Sequence, residues 1–181
     1  MNIEIISASP RKHSITSRIA QHLETALKQK TVHNINIIDL REYQLPQVQE
    51  VYPSVERTPD PYKSLAERMF AAHAFILVTP EYNGSYATGM KNLFDHFPKQ
   101  HHKVFALATG TPGSHGGMRA AMQLQQLVFA LFGIGSPYML ITPFVENRFD
   151  AEGRLIDPEF QKTLDVFINE FIWLAEKINT D

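Results

Sequence analysis

Three short stretches concentrate the groups that could hold a ligand. In "SASPRKHSITSRIA", residues 7–20, Ser9, Ser14, Thr16 and Ser17 surround Arg11 just where a helical apolar period begins. Hydroxyls and a guanidinium beside the free N–H groups of a helix N-terminus form an anion seat, to which the helix dipole adds ~0.3–1 kcal/mol for a charged guest. The guest that fits best is one terminal phosphate; the plainer alternative leaves Ser14 as a helix cap on a solvated turn. In "TPEYNGSYATGMKNLFD", residues 79–95, Pro80 ends an apolar run, and Tyr82, Asn83, Gly84 and Ser85 then offer a stackable ring, a side-chain amide and exposed backbone. In "TGTPGSHGG", residues 109–117, Gly110, Gly113, Gly116 and Gly117 remove side chains that would keep a flat ligand off the backbone. One phosphate seat and two amide-rich walls suit a mononucleotide with a planar, hydrogen-bonding ring, and flavin mononucleotide (FMN) is such a molecule.

Other chemistries fit less well. All nine glycines lie at or after position 84, so the first turn cannot be a G-x-G-x-x-G dinucleotide loop, and "GSYATGMK" fails the P-loop pattern at Met90 and Lys91. No G-x-S-x-G elbow is present for a serine hydrolase. With no cysteine there is no disulfide, thiolate metal site or cysteine nucleophile, so redox chemistry needs a bound cofactor. The eight histidines show no ligand spacing on a helix, and no metal site is expected. The 17 basic residues are scattered and the net charge is -2, which gives nucleic acid no track to follow. No apolar run reaches the ~18–20 residues of a membrane span, and the opening residues do not form a signal-peptide core, so a cytoplasmic chain is expected.

The elements that must position these stretches alternate. "NIEIIS", "HNINIIDL", "AFILVTP", "KVFALATG" and "SPYMLIT" read as strands, and the patterns between them as helices. Ile15, Ile19, Leu23 and Leu27 form one apolar stripe, and Phe160, Leu164, Phe167, Phe171, Leu174 and Ile178 another. Asp157 and Pro158 supply the cap and first-turn proline of the last helix. Met118, Met122, Leu127, Leu131 and Phe132 read most simply as core. The prolines of residues 41–62 mark a long surface connection. The expectation is one domain, 1–181, folded as a three-layer α/β/α sandwich. A parallel sheet of this kind binds ligands at the carboxyl ends of its strands, where strand order reverses.

"ASPRKHSIT", "TPEYNGSYATGMKNLFD", "ATGTPGSHGGMRAAMQL" and "FDAEGRLID" together resemble the NADPH-dependent FMN reductase family, flavodoxin-like quinone, azo-dye and chromate reductases. Its most specific motif, T-P-E-Y-N-x-S followed six residues after the serine by Lys-Asn, is kept in Ser85 and Lys91-Asn92. The resemblance implies a five-stranded parallel sheet of order 2-1-3-4-5, FMN as cofactor and NADPH or NADH as co-substrate. By it, Ser9, Arg11, Ser14 and Thr16 hold the FMN phosphate. Pro80, Glu81, Tyr82, Asn83 and Gly84 flank the ribityl chain and ring, and Thr109, Gly110, Thr111, Gly113 and Gly116 lie along the other ring edge. Glu81 could also bond loop backbone or a neighbouring subunit. Ala8 stands for a usual Gly, Thr16 for a usual Asn, and Ala87-Thr88 for a usual Pro-Gly.

The implied activity is ping-pong hydride transfer from NADPH to a small-molecule electron acceptor: a quinone, an azo compound, a metal oxyanion or free flavin. No protein side chain need be catalytic in the chemical step. The family also implies a homodimer or homotetramer built on the helices after strands three and four, with Phe94, Phe97, Met118 and Met122 as candidate contacts. The alternative is a flavodoxin-type electron carrier without NADPH turnover, against which the near-neutral charge and Arg11 both argue.

Overall fold

The computed structural model describes residues 1–179. Strands β1 (Asn2–Ser7), β2 (Asn34–Asp39), β3 (Ala74–Thr79) and β6 (Val104–Gly110) run parallel in the order β2-β1-β3-β6. A separate two-stranded hairpin, β4 (Glu81–Tyr82) and β5 (Ser85–Tyr86), follows β3. The expected fifth position is filled by two short strands, β7 (Ile134–Gly135) and β8 (Leu140–Thr142), each parallel to β6. Pro137 explains the break: it has no N–H to give, and the last donor before it is the Ser136 amide, on Phe105 O at 2.7 Å.

The strands are buried on both faces, as their near-continuous apolar runs require. Along β3, Ala74, Ile76 and Val78 face one core and Phe75 and Leu77 the other, every one fully buried. The first core is closed by α1 (Thr16–Lys30), through Ile19, Leu23 and Leu27, and by α6 (Gln161–Ile178), through Leu164, Phe167, Ile168 and Phe171. The second is closed by α2 (Lys63–Ala71), α3 (Thr88–Asp95) and α4 (Met118–Ala130). A four-residue helix, α5 (Val145–Arg148), which the sequence did not suggest, follows β8. Asp157 caps the 3-10 turn that leads into α6, accepting from the Glu159 amide at 3.1 Å, as expected. A bidentate pair, Arg68 to Glu4, ties α2 to β1; burial pushes the Glu4 carboxyl up against the pull of Arg68.

Helix α4 departs from expectation. Leu127 and Leu131 are core, but Met118, Met122 and Phe132 are exposed, with Phe129 beside them. The sheet takes the side carrying Ala120, Ala121, Leu124 and Val128. Of the suggested subunit contacts, Phe94 and Phe97 are buried in the second core, leaving Met118 and Met122 at the surface. Ile178 is exposed too, because the buried stripe of α6 ends at Ala175.

Candidate active site

β1 is flanked by β2 on one side and β3 on the other, so strand order reverses at β1/β3. In register, Ser7 lies opposite Val78, Thr79 opposite Thr109 and Gly110 opposite Thr142, so the three ligand-rich turns leave from one edge of the sheet. They enclose a cleft of about 380 Å³ lined by Ser9, Arg11, His13, Ser14, Ile15, Thr16, Pro80, Glu81, Tyr82, Gly110, Thr111, Pro112 and Glu146. That volume is in the range of small-molecule sites, ~300–1,000 Å³.

On the α1 side, Ser14 Oγ accepts from the Ser17 amide at 3.2 Å and lies 3.0 Å from Thr16 Oγ1. Ser14 is therefore a helix cap and a cleft hydroxyl at once. Ser9 is buried and accepts the Arg11 amide at 3.4 Å. The Arg11 guanidinium sits 4.7 Å above the Tyr82 ring, a cation–π contact that joins the phosphate-type side of the cleft to its aromatic wall. The Tyr82 hydroxyl is buried without a hydrogen-bond partner.

The hairpin supplies that wall. Asn83 and Gly84 both have positive φ, the turn chemistry that closes a two-residue hairpin, so they shape the wall without lining the cleft. Much of the most specific motif proves to be scaffold. Thr79 Oγ1 accepts the Ala87 amide at 2.9 Å, and Ser85 Oγ donates to Gln123 Oε1 at 2.6 Å. Glu81 lines the cleft and also accepts from the α4 amides of Arg119 and Ala120. Asn92 donates to the carbonyl of Pro46, holding the long connection against α3. His96 is buried among local contacts, its Nδ1 2.8 Å from Asn92 O and its ring 4.9 Å from Tyr52. No residue of the 41–62 connection lines the cleft.

In the third turn only Gly110 and Thr111 reach the cleft, with Pro112. A Cβ on Gly110 would lie 2.5 Å from Ile19 Cδ1 and 2.7 Å from Val145 Cγ2, so glycine here lets β6 pack against α1 and α5. The Thr111 amide is committed to Thr142 O at 3.2 Å and is not a free donor. Thr109 is buried and donates to Gly116 O at 2.8 Å. Gly116, φ +59, is packed against Ile141 and Pro143, so both residues fix the loop from behind. Gly113 lies outside the cleft lining with open space around it. His13 and Glu146 were missed by the sequence reading; Glu146 stands on α5 and pairs with Arg18 at 3.6 Å. Among the described residues no group of acidic or histidine side chains could hold a metal ion, and no helix is long and apolar enough to cross a membrane.

The donor set fits FMN: hydroxyls and a guanidinium at a helix N-terminus for a phosphate, and an aromatic side chain with an unpartnered hydroxyl on the wall. Comparison with known proteins points the same way. The chain is 33% identical over 178 residues to an FMN-dependent NADPH-azoreductase of Staphylococcus aureus, covering 93% of this chain and 92% of the relative. Among solved structures it resembles FerB, a flavoenzyme NAD(P)H:(acceptor) oxidoreductase from Paracoccus denitrificans, at TM-score 0.78 and 20% identity over 97% of each chain. A flavodoxin variant from Pseudomonas aeruginosa superposes at TM-score 0.60 and 17% identity, covering 95% of this chain and 99% of that one, which shows the shared flavodoxin-like fold. The family model described as NADPH-dependent FMN reductase matches residues 1–141, and the chain belongs to that family of enzymes, with FMN as cofactor and NADPH as co-substrate.

Proposed function

We propose that residues 1–181 form one flavin-binding unit that passes reducing equivalents from NADPH, or NADH, to a small electron acceptor. The two substrates would take turns at the open side of the cleft. Quinones, azo compounds, metal oxyanions and free flavin all carry a group reducible from such a face; likeness to the S. aureus azoreductase favours an azo compound. The observation that carries the reading is the meeting of Ser9, Arg11, Ser14 and Thr16 with Tyr82, Gly110 and Thr111 in one cleft at the strand-order reversal.

Bound FMN supplies the hydride chemistry. The chain supplies position and exclusion. Ser14, Thr16 and Ser9 offer hydroxyl donors to a phosphate at the start of α1, and Arg11 adds a charge whose other partner is the Tyr82 face. Pro80 and Tyr82 would bound one side of the ring and Gly110, Thr111 and Pro112 the other. Asn83, Gly84, Thr109, Gly113 and Gly116 act through the shape of the two loops. Met118, Met122 and Phe129, exposed on one side of α4, are the contacts on which a cytoplasmic homodimer or homotetramer would form.

The test is spectroscopic. Protein purified with excess FMN should elute yellow, and anaerobic NADPH should bleach it within seconds to minutes. FMN colour that persists under NADPH would leave a carrier, and colourless protein would remove the flavin reading. Arg11→Ala separates two roles: loss of FMN places the guanidinium on the flavin phosphate, whereas retained FMN with a raised KM for NADPH places it on the nicotinamide nucleotide.

A further inference from the structure

Away from the cleft lies a second cavity of about 370 Å³, close to the cleft in volume and sharing no residue with it. It opens between the C-terminal half of α4 and the border of the sheet, where the interruption at Pro137 leaves room. β6 pairs with β7 at Val104 and Phe105 and with β8 from Ala108 onward, so Ala106 and Leu107 have no register partner on that side. Leu107 lines the gap from the sheet, Val128 and Phe129 from α4, and Ile134 and Pro137 from the interrupted border. Among the described residues no charged side chain lines it.

Two features set this gap apart from a packing fault. Gly135 lines it without needing to be glycine: its φ is not positive, and a Cβ there would meet nothing within 4 Å. Gly133 differs, since its Cβ would lie 2.5 Å from Phe105 Cε2. Glycine at 135 thus keeps open a space that a side chain could have filled. The second feature is Ser136. It is 7% exposed and lines the cavity, its amide is satisfied by Phe105 O at 2.7 Å, and its hydroxyl is buried with no hydrogen-bond partner. Such a hydroxyl costs stability until something bonds it, and most buried ones are bonded.

We propose that this cavity is a second binding site, for an uncharged, flat, largely apolar molecule whose one hydroxyl or carbonyl bonds Ser136 Oγ. The volume is in the range of small-molecule sites, ~300–1,000 Å³. Nucleotides do not suit it, because no lining side chain answers a phosphate charge. The Phe129 ring, 77% exposed, and the bare backbone of Gly133 and Gly135 suit a flat body.

Titration of 1-naphthol into the ¹⁵N-labelled, FMN-loaded chain tests this, with naphthalene as the counterpart that lacks the hydroxyl. Naphthol should shift the amides of residues 125–129 and 133–136 and saturate, while those of residues 13–16 and 110–111 stay still. Ser136→Ala should weaken naphthol by about 2–12-fold, the range for one neutral hydrogen bond, and leave naphthalene within about twofold. No saturable shift in the parent, or shifts centred on the cleft amides, would overturn the site. Equal losses for the two probes, or none for naphthol, would overturn the role of Ser136. Phe129 also belongs to the surface assigned above to subunit contacts, so the titration is run at two chain concentrations beside sedimentation. Naphthol affinity that falls as the chain associates would give the cavity to a second copy and overturn the proposal. Because the two cavities share no residue, a chain that fails to take up FMN still carries the same titration.

Discussion

Ser14→Ala should produce two separable losses. The first is a cap: Ser14 Oγ accepts the Ser17 amide at 3.2 Å, and replacing such a serine costs about 1 kcal/mol. At ~2.1 cal/mol/K of unfolding entropy per residue, a chain of 181 residues changes Tm by roughly 2–3 °C for that amount. The second is a phosphate ligand. The same hydroxyl, 91% buried at the cleft and 3.0 Å from Thr16 Oγ1, would donate to a charged oxygen, and such a bond contributes ~1.5–3 kcal/mol, a factor of about 10–150 in affinity. Riboflavin, which lacks the phosphate, separates the two. Calorimetric Tm of the flavin-free variant reads the cap. Flavin-fluorescence quenching by FMN and by riboflavin reads the seat, with the FMN constant expected to rise by that factor and the riboflavin constant to stay within about twofold. Equal weakening of both flavins would show that Ser14 acts only through the helix, and unchanged FMN affinity would remove it from the site.

The two turn glycines should respond unequally. Gly110→Val drives its Cβ into Ile19 and Val145 and should destabilise the flavin-free protein by ~1–3 kcal/mol in urea unfolding, whereas Gly113→Val meets open space and should leave stability within ~0.5 kcal/mol; equal stabilities would contradict the packing assigned to Gly110. Lys103 Nζ donates to the Met69 carbonyl at 2.8 Å and lies 5.4 Å from the Phe75 ring centroid, and burial lowers its pKa to about 8. Because an unfolded lysine titrates near ~10.4, the unfolded chain binds more protons between these values, so stability relative to Lys103→Met should rise with pH across about 8–10.4, by at most roughly 3 kcal/mol. A flat or falling difference in urea unfolding between pH 7 and 10.5 would refute the desolvation of that ammonium.

The parallel sheet and the three turns at the carboxyl ends of its strands were legible because apolar runs alternate with helical periods, while the strand order was an implication of the family resemblance. β3 is the clearest case, buried along its whole length as its unbroken apolar run implies. The face of α4 was not legible. Its apolar residues fall on two sides separated by Arg119, Gln123 and Gln126, and only the packed fold shows that β6 takes the side with the small residues Ala120 and Ala121 while Met118, Met122 and Phe129 face outward. At the site, residue types located the phosphate seat, and the Asn83-Gly84 pair is in itself a hairpin signal, but spacing could not show that Thr109 bonds a loop carbonyl behind the cleft. His13 and Glu146 escaped for different reasons. His13 lay inside a quoted turn among more obvious donors, and Glu146 reaches the cleft only because the four-residue helix α5 folds back beside Thr111, whose carbonyl accepts the Val145 amide at 3.2 Å.

The interruption at Pro137 bears on how copies of this chain can meet. An open sheet border invites strand addition from a neighbour, and long flat borders are where soluble proteins aggregate. Here that border is cut into pieces of two and three residues, too short to template another strand. Association along this margin must therefore use side-chain surfaces, where mutation can tune it, and not the backbone, which cannot tell self from stranger.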